Sequence, residues 1–155
     1  MYSNQKLVID LLVSMFATFI LSTTVLSIST TNWNNNNINH DRIGLFQQCS
    51  KPCCCIVKEL NRTITLLILF SIILLIISTM TSFLLMGTTI GDPNRYYILV
   101  PLTLFGAGFA MTLAFMKIYE QMNLNGYSAF IFLIDTVLAY VLGGITILHG
   151  SMFYF

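Results

Sequence analysis

Four apolar runs, each long enough to cross a bilayer, predict an all-α membrane protein built as a four-helix transmembrane bundle. The runs are Leu7–Ile28, Thr63–Met86, Tyr97–Met116 and Ser128–Leu148, and a crossing takes about 20 apolar residues. Charge supports the same reading: the second and third runs have none, the first holds only Asp10 and the fourth only Asp135. With 8% charged residues among 155 and a mean hydropathy of +0.81, the chain cannot coat a soluble domain of its size. Its net charge of +1 also lacks the basic surface that nucleic acid demands. In hydrocarbon each run must satisfy its own backbone amides, which makes helices of them, and no ten-residue alternation suggests a barrel. Residues 1–155 therefore read as one four-span domain.

Taken in order, the first run follows Lys6, as a signal peptide would. It is longer than a signal core of about 7–15 residues and no small-x-small cleavage site follows, so it is read as a span. Asp10, one turn inside, is expected to reach the interface. The run leaves hydrocarbon through Ser27-Ile28-Ser29-Thr30-Thr31-Asn32-Trp33, which places Trp33 where an interfacial anchor would sit. The loop 29–62 then holds most of the distinctive chemistry. It has the turn-prone Asn34–Asn37 tract, Gly44-Leu45-Phe46, Cys49, the triplet Cys53-Cys54-Cys55, and the sequon Asn61-Arg62-Thr63 at the mouth of the second span. That span is Leu- and Ile-rich on all sides and is expected to face lipid over much of its surface. Gly91-Asp92-Pro93-Asn94 is a short turn, and Pro101 falls in the first turn of the third helix, where a missing amide proton matters least.

Small residues mark one face on each of the last two helices: Thr103, Ala107, Ala110 and Ala114 on the third, Asp135, Ala139, Gly143 and Thr146 on the fourth. Such stripes let backbones approach closely in lipid, so these faces are expected to pack together in the bundle or to serve self-association. Asp135 lies about 10 Å along its helix at 1.5 Å per residue, inside the hydrocarbon, and should face protein. It is either a proton or cation relay or, more simply, a hydrogen-bonding partner of a neighbouring helix through Thr103, Thr112 or Lys117. His40 and His149 lack a metal-ligand companion one turn away and are expected at surface or interface, as is the aromatic end Phe153-Tyr154-Phe155. No phosphate-binding loop, nucleophile triad or metalloprotease motif is present, so no enzymatic activity, cofactor or metal is expected.

Trp33, then Gly44-Leu45-Phe46, then Cys49 with a further cysteine, in the loop after the first of four spans, resembles the pattern W…G-L-W-x-x-C…C. This is the signature of the claudin, peripheral-myelin-protein and epithelial-membrane-protein superfamily. Phe46 stands where that family has its second Trp, and the short later loops are closer to its myelin and epithelial branch. The resemblance implies a small extracellular β-type cap in the first loop and a disulfide from Cys49 to one of Cys53, Cys54 or Cys55. It further implies cytoplasmic termini and a plasma-membrane role in cell junctions, adhesion or membrane organisation through lateral association with itself or another membrane protein. Related four-span proteins also act as auxiliary subunits of channels or receptors, and a small proton-coupled carrier using Asp135 is the third reading.

Sidedness is opposed by charge. Arg42, Lys51, Lys58 and Arg62 in the first loop, with Lys117, outnumber Lys6 and Arg95 on the other side, which by the positive-inside rule places the cysteine loop in the cytosol. There the cysteines beside Lys58 and Arg62 would suit palmitoylation; a four-cysteine zinc site would need a longer connection between its pairs. The motif is followed over the charge count, and Asn61 is a weak glycosylation candidate because it abuts the membrane.

Overall fold

A computed structural model describes residues 2–36, 41–50, 54–57, 61–86, 97–121 and 123–153. Four long helices make up most of it: α1 (Tyr2–Ser29), α2 (Arg62–Met86), α3 (Leu99–Gln121) and α4 (Tyr127–Phe153). All four are long and apolar enough to cross a membrane. Each packs on two neighbours, α1 on α2 and α4, and α3 on the same two, closing a four-membered ring.

The third helix runs beyond the expected end at Met116 to Gln121. Hydropathy stops at Lys117, but the backbone does not: Ile118 is fully buried, and Lys117 donates to Glu120 across one turn at 2.9 Å. Lys117 is exposed in this pair and does not reach Asp135. Asn61 accepts from the Thr63 amide through its side chain at 3.1 Å, and its carbonyl takes the Ile64 amide, so the sequon residue caps α2.

What turns each helix inward is not hydrophobicity, since α2 is apolar on every face. Its buried positions include Ile64, Ile68, Ser71, Leu75, Ser78, Ser82 and Leu85, alternating four and three apart, with Thr79 beside Ser78. The same alternation runs through α1 from Asp10 to Ser27, α3 from Val100 to Ile118, and α4 from Ser128 to His149. That 3.5-residue repeat is the spacing of left-handed helix packing. The seams mix Ser, Thr, Ala and Gly with large apolar side chains such as Ile20, Leu75, Leu104 and Phe132, while many more Leu, Ile and Phe point outward; Leu102 and Met116 are about 60% exposed. In water the outward Leu, Ile and Phe would be buried as well. Lipid removes the hydrophobic drive, so close packing and hydrogen bonding decide which face turns inward.

Between α1 and α2 lies a four-stranded antiparallel meander, β1 (Asn34–Asn36), β2 (Asp41–Ile43), β3 (Gln47–Ser50) and β4 (Cys54–Val57), in sequential order. Its register sets Arg42 opposite Cys49, and Cys49 opposite Cys55, with Ser50 opposite Cys54. Cys53 lies outside the described residues.

Candidate functional site

Two regions collect polar groups that a membrane bundle would otherwise avoid: the junction of the sheet with the bundle, and the seam between the first and last helices.

At the junction, α1 ends at Ser29 and the chain folds back so that Trp33 enters the bundle mouth. It is fully buried, which corrects the expectation of an interfacial anchor. The indole Nε1 donates to the Ser27 carbonyl at 2.8 Å, and the ring packs tilted on Phe132 with centroids 5.5 Å apart. Its backbone is held from both sides: its amide donates to Ile43 of β2 at 3.0 Å, and its carbonyl accepts from Gly126 at 3.0 Å. An indole whose N–H finds a carbonyl inside the protein gains more by burial than it would by lying among lipid headgroups. Gly44 and Leu45 are also buried and Phe46 packs partly against the same core. The turn before α4 is fastened here as well. Ser128 donates its amide to the Asn32 carbonyl at 3.3 Å, Thr30 and Ser128 share a hydroxyl bond of 2.6 Å, and Asn32 donates to the Tyr127 hydroxyl at 2.7 Å.

The small residues are used inside the monomer. Ala107, Ala110, Ala114 and Ala139 are buried. A Cβ on Gly143 would meet the Phe105 ring at 3.1 Å, and one on Gly108 would meet the Tyr140 ring at 3.2 Å, so α3 and α4 approach closely at these two glycines.

Asp135 is buried and faces α1, not the third helix. It accepts from Thr23 at 2.7 Å and from Thr24 at 3.1 Å, one hydroxyl on each carboxylate oxygen. None of the partners weighed from sequence, Thr103, Thr112 or Lys117, fills that role: Thr103 bonds back to its own helix and Thr112 meets Tyr140.

At the opposite end of the same seam lie two residues expected at the interface, Asp10 and His149, and both are buried. A carboxylate oxygen of Asp10 is 3.7 Å from His149 Nδ1. The same nitrogen is 2.9 Å from the Tyr97 hydroxyl, which donates to the Thr146 carbonyl at 3.0 Å. Asp10 reaches the bundle interior because its position belongs to the seam of α1; a charged residue one turn into a span faces lipid only if its helix phase puts it there. A signal for this existed in the sequence. Asp10 and Thr24 are fourteen residues apart on α1, as are Asp135 and His149 on α4. Two heptads on each of two antiparallel helices bring both pairs into register, about 21 Å apart at 1.5 Å per residue.

The fold and these contacts define an integral, multi-pass membrane protein with four spans and a sheet between the first two. Neither a protein-family model nor a curated protein matches the chain.

Proposed function

We propose that this is a non-enzymatic plasma-membrane protein of the claudin and epithelial-membrane-protein kind. Its sheet would form an extracellular cap, and it would act by lateral or trans association at cell contacts. One observation carries the reading: the residues of the resemblance, Trp33, Gly44 and Leu45, are buried where a four-stranded meander meets the bundle mouth. The motif residues are thus the ones that tie the sheet to the helices. A loop of this size buries too little to hold itself together, and such loops rely on a covalent staple. Cys55 is the register partner of Cys49 across β3 and β4, which supports a Cys49–Cys55 disulfide as part of the proposal. Asp135, with both oxygens taken by hydroxyls of α1, acts here as a clasp between helices and not as a carrier's proton site.

The Lys and Arg distribution points to the opposite orientation, and one experiment decides. On intact cells, labelling with a membrane-impermeant maleimide should rise after reduction. Labelling confined to permeabilised cells would put the cysteine loop in the cytosol and defeat the proposal. With the orientation established, homotypic clustering at cell contacts supports association of like copies, whereas stoichiometric co-purification with one channel or receptor would make the chain an auxiliary subunit.

A further inference from the structure

We propose that Asp10, Tyr97 and His149 form a proton-operated latch that joins the first and last helices at the end of the bundle remote from the sheet. Three polar groups meet there. A phenol has a single hydrogen, and that of Tyr97 is directed at the Thr146 carbonyl at 3.0 Å. The phenol oxygen is also 2.9 Å from His149 Nδ1, and with Nδ1 protonated that contact is an N–H donated to the phenol. This N–H also faces the Asp10 carboxylate at 3.7 Å. A second proton on the ring makes an imidazolium beside that carboxylate, and α1 and α4 are drawn together by opposite charges in a medium that screens them little. Loss of that proton leaves a neutral ring beside Asp10 and removes the attraction.

The surroundings give the latch leverage. Open apolar grooves of about 360 and 370 Å³ flank the last turns of α4, one against α1 and the other against α3. His149 lines the first groove and Tyr97 and Thr146 the second, which places the latch across the strip of protein between them. A further cavity of about 10 Å³ lies between Asp10, Ser82 and Tyr97, at the lower size limit for a single water.

Among the described residues, Asp10 from α1 and Tyr97 just before α3 are the titratable groups placed against His149; α2 presents Ser82 at this level and has no ionisable side chain between Ile64 and Leu85. Asp135 is two heptads away. Lys6, Asp92 and Arg95 belong to segments whose side chains lie outside the described residues, and a variant neutralising all three serves as a parallel background.

The test uses the full chain in lipid nanodiscs, melted at intervals between about pH 5 and pH 8, the range in which histidine changes charge. The wild type should lose several degrees of Tm as pH rises, because the ion pair exists only on the acid side of the His149 titration. His149→Gln and Asp10→Asn should each abolish that slope, and the double variant should match either single one. A slope that survives His149→Gln overturns the latch, as do additive effects of the two variants at about pH 5. Should either variant fail to fold, histidine-labelled NMR of the wild type decides, with His40→Gln assigning the signals. A His149 ring that holds one protonation state across the range refutes the proposal, and one that titrates in step with the Tm supports it.

Discussion

Gly126→Ala tests how the sheet end of the bundle is held. Gly126 sits in the turn before α4, and a Cβ there would lie 1.7 Å from the Asn32 carbonyl oxygen and 2.8 Å from the carbonyl carbon of Trp33. Both obstacles are backbone, so neither can rotate away, and the two segments must separate. Separation removes the Gly126-to-Trp33 and Ser128-to-Asn32 backbone hydrogen bonds, worth about 0.5–1.5 kcal/mol each. Adding loosened packing of Trp33 on Phe132 brings the expected loss to about 2–3 kcal/mol. For a chain of this size that is a fall in Tm of roughly 5–10 °C. The assay reports from within, because Trp33 is the sole tryptophan: its emission should shift to the red in the native state, and its melt should come earlier. Gly144→Ala is the matched control, since a Cβ there meets nothing within 4 Å; in a helix interior it should be neutral or stabilising by about 0.5–1 kcal/mol. Unchanged emission and Tm in Gly126→Ala would refute the claim that the turn and the segment after α1 are locked together.

Asp135→Asn keeps an acceptor for Thr23 and supplies a donor to Thr24, so it should melt within about 1 kcal/mol of wild type. Asp135→Leu, which forfeits both interhelical bonds at about 0.6 kcal/mol each, should lose about 1–1.5 kcal/mol; collapse of the Asn variant alone would show that charge, not hydrogen bonding, is what the site needs. Gly143→Leu should strain the α3–α4 contact at Phe105 by about 1–3 kcal/mol, read as a lower Tm with the oligomer profile unchanged. An altered profile with an unchanged melt would mean that Gly143 faces another copy of the chain.

How much of this was legible beforehand differs by residue. The burial of Ala107, Ala114 and Ala139 could be read from their spacing, because in lipid small side chains are the ones that permit contact. The partner of Asp135 could not. A carboxylate at that depth calls for donors, but Thr103, Thr112, Thr23 and Thr24 all offer hydroxyls at spanning depth, and choosing among them needs the order of helices around the ring. Trp33 misled because an indole just past a span has two stable fates, headgroup or protein interior. The carbonyl of Ser27 and the ring of Phe132, ninety-nine residues downstream, decide between them. Sequence alone puts Asp10 and His149 at the interface, because each is judged there against its own helix. Their pairing is a property of two helices in register.

The sequence by itself determined the spans and the distinctive loop. Partitioning into lipid is a sum over a local run of residues, each contributing according to its own side chain, and no knowledge of neighbours is required. Which face of each helix turns inward, which helix clasps which, and that Trp33 closes the bundle mouth were decided only by the tertiary structure. Those outcomes rest on hydrogen bonds and close contacts between residues far apart in the chain, such as Thr23 with Asp135. In a solvent as apolar as the side chains themselves, hydropathy no longer distinguishes inside from outside.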